Sequence, residues 1–234
     1  MMCARRVSLA VLGSLAVCTA STISSADIIR FTFRGEVTGI EGSLPPPPEI
    51  TIGTPYEFTY VFDTETTDTD PDPQGGAYEG SIRRSRLNIN GYGFETRSGA
   101  IHILNDGFAG DSYQGAVQDP IRRAAINLTS LGGGALSSDE LPEDLTLADF
   151  QLRDFTLDIN IGPAFTRVLG GVRELERIEI TCACDWNFDG TQNSQDLFDF
   201  LSDFFSQNAD YNNDGFTNSA DFFDFLVCFF APCP

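Results

Sequence analysis

Between residues 28 and 180 apolar side chains recur at every second position over short runs. Ile29, Phe31 and Phe33 alternate with Arg30, Thr32 and Arg34, and Tyr56, Phe58, Tyr60 and Phe62 alternate with Glu57, Thr59 and Val61. A period of two turns one face of an extended chain toward a core. Leu87 and Ile89 are separated from Tyr92 and Phe94 by Asn90-Gly91, a strong hairpin signal because both central residues of the tight turn need positive φ. Residues 101–104, 124–128, 155–161 and 177–181 have the same character. Many short strands separated by turn residues predict a mainly β fold, an antiparallel β-sandwich over residues 27–180. Three stretches interrupt the alternation and read as surface loops: the four prolines at 45–48, an acidic run at 63–76, and a small, polar run at 132–144. Asp68, Asp70 and Asp72 in the second of these read as a solvated loop held extended by like charge, in preference to a cation site.

After residue 181 the period changes to that of a helix. Leu197, Phe198, Phe200, Leu201, Phe204 and Phe205 fall on one broad face, with Asp199, Ser202, Asp203 and Ser206 opposite. Phe222, Phe223, Phe225, Leu226, Phe229 and Phe230 repeat the pattern. Two such faces can bury each other, but a unit of about fifty residues cannot hide so many aromatics, so some are expected to meet the β domain or a partner. Composition changes at the same point: residues 182–234 hold nine Asp and no Arg, Lys or Glu.

The helices follow two copies of one twelve-residue loop, 185–196 and 210–221, offset by 25 positions. Calcium takes six to eight oxygens at about 2.3–2.6 Å, and a loop of this length supplies them from positions 1, 3, 5, 7, 9 and 12. In the first copy these are Asp185, Asn187, Asp189, the carbonyl of Thr191, Asn193 directly or through water, and Asp196. In the second they are Asp210, Asn212, Asp214, the carbonyl of Phe216, Asn218 and Asp221. Gly190 and Gly215 stand at position six, where the chain bends sharply. Oxygen-only ligands select a hard cation over zinc or copper. Two calcium ions are therefore the expected cofactors.

The repeat resembles the dockerin family, on Cys-Ala-Cys-Asp-Trp-Asn at 182–187, Asn-Ser-Gln-Asp-Leu-Phe-Asp-Phe-Leu at 193–201 and Asn-Ser-Ala-Asp-Phe-Phe-Asp-Phe-Leu at 218–226. It is most similar to the GC-type dockerins that end exported bacterial proteins. The resemblance covers about a fifth of the chain. It implies a small all-α domain at 182–234, two calcium loop–helix units related by a pseudo-twofold axis, and docking onto a cohesin-like or other envelope receptor. Positions 10 and 11 of each loop carry that docking in the family, which places it on Ser194, Gln195, Ser219 and Ala220. Gln192 stands where the family has an apolar residue, a change expected to loosen packing between the loops. The tail reads Ala-Pro-Cys-Pro instead of ending in Gly-Cys, which leaves its processing or attachment open.

Residues 1–26 read as a secretory signal peptide. Arg5 and Arg6 precede an apolar run from 7 to 17, and Ser24 and Ala26 are the small residues before cleavage. The run is shorter than the roughly 20 residues that span a bilayer, so no transmembrane segment is expected. Lipidation at Cys18 is the rival reading, with bulky Val17 against it. Loss of the leader takes the formal charge from -20 to -22, and all fourteen basic residues are Arg. That balance argues against a nucleic-acid partner, whose phosphates need cations. Export also favours oxidation of Cys182, Cys184, Cys228 and Cys233. Two bridges clipping the ends of the terminal domain are expected, with the pairing open.

For residues 27–180 the sequence offers little chemistry. His102, the single histidine, lies between Ile101 and Ile103 and reads as a surface residue of a strand. No nucleophile elbow, zinc motif or phosphate loop is present. Residues 31–37 and 56–63 weakly resemble the opening of exported β-rich bacterial proteins with C-terminal sorting signals. The expectation is a non-catalytic protein, secreted or held at the cell surface. The alternative is a carbohydrate-active enzyme or carbohydrate-binding module assembled through its dockerin into a polysaccharide-degrading complex, with acid pairs hidden among the carboxylates.

Overall fold

The computed structural model describes residues 28–108, 110–212 and 216–231; the expected leader and its cleavage site lie outside them. The alternating stretches form β1 (Ile28–Gly42), β2 (Pro55–Asp63), β3 (Gly75–Ile89), β4 (Tyr92–Thr96), β5 (Gly99–Gly107), β6 (Gly110–Gln118), β7 (Arg122–Ser130), β8 (Leu152–Ile161) and β9 (Ala164–Ile180), followed by α1 (Ser194–Phe205) and α2 (Ser219–Phe229). Around the sheet the order is β2-β1-β9-β8-β7-β6-β5-β3, and β3 pairs again with β2. Eight antiparallel strands thus close into a barrel, with β4 as one extra strand paired to β3. This corrects the sandwich expected from the sequence.

The closing strand is β3. Its residues from Ile82 to Ile89 pair with β2, and those from Gly75 to Ile82 pair with β5. Register slips between Glu79 and Ile82, where Gly80 has φ +74°. Bulges of this kind bend and twist a strand, here enough to let one strand serve two neighbours. Two more irregularities, at Arg34/Gly35 and Val37/Gly39, curve β1 against β9. Asn90 and Gly91 both take positive φ, 52° and 93°, as the hairpin signal requires.

Inward-facing Phe31, Phe33, Phe58, Tyr60, Phe62, Tyr113, Ile126 and Phe155 are fully buried. An eight-stranded barrel has an interior just wide enough for side chains to fill, and these fill it. Tyr60 and Tyr113 share a buried hydroxyl hydrogen bond of 2.6 Å. Gly115 faces Tyr60, where an added Cβ would stand 2.3 Å from the hydroxyl. Outside, the His102 Nε2 lies 3.3 Å from a Glu79 carboxylate on a half-exposed face, which agrees with the surface reading.

One loop departs from expectation. Residues 132–144 read as a surface loop, yet Leu141 and, further on, Phe150 are buried, with Ala135, Leu136, Leu145 and Leu147 packed against the barrel core. The segment between β7 and β8 therefore adds apolar side chains to the barrel core. Asp111 at the start of β6 pins the segment down: its carboxylate accepts from the backbone N–H groups of Ala135 (2.7 Å), Leu136 (3.0 Å) and Asp106 (2.8 Å). Burial pushes its pKa up, but the N–H donors outweigh that and hold it below the ordinary carboxylate value. Asp111→Asn should cost about 1–3 kcal/mol, because an NH2 group then faces a backbone donor. A depressed folded pKa adds stability above the unfolded value, and that stability disappears as pH falls through the folded pKa. The gap between wild type and variant in urea melts should therefore be full at pH 7 and close below about pH 3.9.

The acidic loop uses its charges locally. Asp68 accepts from the N–H groups of Asp70 (2.9 Å) and Ala77 (2.8 Å), Asp70 from Asp72 (2.9 Å), and Asp72 from Gln74 (3.1 Å). Successive side chains thus build the turns, as Asp does by mimicking a backbone turn.

Candidate metal centre in the terminal module

Each helix starts on a reciprocal cap. The Asn193 side chain accepts from Gln195 N–H (2.8 Å), and Asp196 accepts from Asn193 N–H (2.7 Å). Asn218 and Asp221 do the same at α2, at 2.8 and 2.7 Å. Helices of twelve and eleven residues are marginal alone, so these caps and tertiary packing hold them. The spacing of a capping box, N-cap to N3, coincides with loop positions 9 and 12. One pair of residues in each repeat therefore suits both a cap and an ion, and spacing alone does not separate the two roles.

The packing repeats at the same offset of 25. Phe200 and Phe225, both fully buried, stack face to face with centroids 4.0 Å apart and planes 1° from parallel. Trp186 and Tyr211, the second residues of the two loops, meet this pair with their edges. Residues equivalent by sequence are thus neighbours in space, the arrangement a pseudo-twofold axis produces. The buried stripe is narrower than the helical wheel suggests. Phe198, Phe205, Phe223 and Phe230 are 62–78 % exposed, two equivalent pairs that lie outside the core.

In the first loop the expected ligands gather around the bend. Asp185 is buried and accepts from the N–H groups of Asp189 (3.0 Å) and Gly190 (2.7 Å). Asn187 accepts from Asp189 N–H, and Asp189 from Thr191 N–H. Asp196, also buried, reaches back across the loop to Asn187 N–H (3.1 Å). The Thr191 carbonyl accepts from the Asn193 amide at 2.9 Å. Phe188 and Gly190 take positive φ, 56° and 89°, which wraps the chain. In the second loop Asp221 likewise accepts from Asn212 and Tyr211 N–H (3.2 and 2.8 Å), and Asn218 donates to the Phe216 carbonyl. Asp214 and Gly215 lie outside the described residues.

The electrostatics of the first loop are those of concentrated negative charge. Burial, then the carboxylates of Asp196 and Asp189, push the Asp185 pKa up to about 6, against the pull of two backbone N–H groups. Among the described residues no cationic side chain pairs with Asp185, Asp189 or Asp196. The donor set of carboxylates, amides and a carbonyl suits a hard divalent cation. Among the described residues no three His, Cys, Asp or Glu side chains converge as a ready cage, since these carboxylates are turned to backbone donors and half of the expected set is amide or carbonyl oxygen.

Cys184 and Cys228 form a disulfide, with Cα atoms 5.8 Å apart. It joins the start of the module to the end of α2. Cys182 is buried beside it, and Cys233 lies outside the described residues. Gln192, expected to loosen the module, donates to the Phe229 carbonyl and so ties the first loop to the last turn of α2. Ser194, Gln195, Ser219 and Ala220 are exposed on the first turns of the two helices.

No family model, curated protein or solved structure matches the chain.

Sequence reasoning also missed the seam between barrel and module. Arg30 of β1 donates to the Phe188 carbonyl at 2.7 Å, and Arg84 of β3 to the Trp186 carbonyl at 3.2 Å. Arg97, between β4 and β5, pairs with Asp203 of α1 and lies 5.4 Å over the Trp186 ring. The Trp186 indole N–H donates to the same Asp203 at 2.7 Å. Alternation placed Arg30 on an outward face, but what faces it depends on tertiary structure. No described helix is long and apolar enough to cross a membrane.

Proposed function

We propose that this is an exported, non-catalytic barrel protein held or sorted at the cell surface by its terminal module, a dockerin-like unit that binds two calcium ions and docks onto an envelope protein. The observation that carries this reading is the stacked Phe200–Phe225 pair, since it packs the two acidic loop–helix units around one axis. The oxygen-only loops, the exposed Ser194, Gln195, Ser219 and Ala220, and the paired exposed phenylalanines support a protein partner on the helix side. The acidic surface around them favours a receptor with basic side chains.

Calcium, when bound, supplies the positive charge that the loop carboxylates lack. Asp185, Asn187, Asp189, Asp196 and the Thr191 carbonyl would hold the first ion, and Asp210, Asn212, Asp221 and the Phe216 carbonyl would contribute to the second.

The test is capture from the envelope of the exporting cell by the full mature chain, with calcium or with chelator. One protein retained only with calcium, and lost with Asp185→Ala/Asp210→Ala, is the expected result. Retention of polysaccharide and no protein would replace this reading with the carbohydrate-binding one.

A further inference from the structure

The first loop is held from behind by the barrel. Arg30 and Arg84 donate to the carbonyls of Phe188 and Trp186, positions 4 and 2 of the loop, and neither is a position expected to bind the ion. Phe188 sits at φ 56°, a left-handed conformation that non-glycine residues seldom take and that must be imposed by surroundings. The bond from Arg30 falls on the carbonyl of that same residue. Arg30 is mostly buried, and its Nε has no hydrogen-bond partner among the described residues, so its place in the seam rests on what the rest of the guanidinium holds. Asn187 and Asp189 line a cleft of about 450 Å³ together with Arg30, Arg84, Glu57 and Glu95.

We propose that the barrel forms the back wall of the first calcium site: Arg30 and Arg84 fix the loop in its ion-ready shape, so that calcium binding and docking of the module on the barrel reinforce each other. The inference rests on the calcium reading above. A ligand gains affinity when its binding conformation is already populated, and the coupling is reciprocal, so an ion that holds the loop also strengthens the docking. Two opposed effects decide the sign. The guanidinium groups repel a cation, but their bonds go to carbonyls and leave the ligand oxygens free. Holding Phe188 in its unfavourable conformation outweighs that repulsion.

The experiment is calcium titration calorimetry on the full mature chain, wild type against Arg30→Ala/Arg84→Ala. One of two sites should weaken about tenfold, the loss of one or two charge-assisted hydrogen bonds, and the other should change less than about twofold. Arg84→Ala alone, a milder change at a partly exposed side chain, should weaken that site about threefold. Adding Phe188→Asn to either variant should recover part of the loss, because asparagine accepts positive φ more readily. Two sites of unchanged or increased affinity in the arginine variants would overturn the inference and leave the calcium reading intact. Absence of calcium binding by the wild-type chain would overturn both.

Discussion

Replacing Phe200 by alanine is expected to cost about 3–5 kcal/mol and to unfold the terminal module while the barrel stays folded. Phe200 is fully buried, stacks on Phe225 and receives the edges of Trp186 and Tyr211. Its removal leaves a void in a core whose other buried members are few: Cys182, Cys184, Trp186, Ala209 and Phe225. A core that small cannot collapse into the space without moving both helices. The repeat makes a second demand, that Phe225→Ala have the same effect. Phe198→Ala, on an exposed position of the same helix, should stay within about 0.5 kcal/mol. Far-ultraviolet circular dichroism during a thermal melt separates the cases. The module's helical signal should be lost early in the two core variants, with the barrel transition moved only by the loss of the seam.

The terminal module was the more legible part of the molecule. Its loops, helices and the equivalence of residues 25 apart follow from local pattern, and local pattern carries helical structure. The stack of Phe200 on Phe225 is the spatial form of that offset. The barrel was legible only in its strands. Alternation told which side chains face inward, and Phe31, Tyr60 and Phe155 do, but a period of two is shared by sandwiches and barrels. The deciding fact, that β3 pairs with both β2 and β5, depends on partners far apart in sequence and on a slip near Gly80. β6 escaped notice because two of its inward positions, Asp111 and Gly115, are not apolar, although Gly115 is what makes room for Tyr60. The arginines of the seam were visible as residues, but their contacts belong to tertiary structure.

Removing calcium is expected to have the second large effect. The module holds nine Asp and no basic residue, with Asp185 and Asp196 buried. On the proposed reading the ions offset this repulsion, and binding stabilises the folded module by about 2.7 kcal/mol when free calcium is a hundred times the dissociation constant. The capping boxes and the Cys184–Cys228 bridge oppose unfolding without metal. Chelation should therefore lower the module's melting temperature in the oxidised chain and abolish most of its helical signal once the bridge is reduced. The barrel transition should shift far less, by no more than the coupling across the seam.

Native mass spectrometry of the mature, oxidised chain tests the central claim most directly, because it counts ions. The account predicts two calcium ions per chain in micromolar calcium, one in Asp185→Ala, and none in Asp185→Ala/Asp210→Ala. A wild-type chain that stays metal-free while folded, or keeps both ions when Asp185 and Asp210 are replaced, would contradict it.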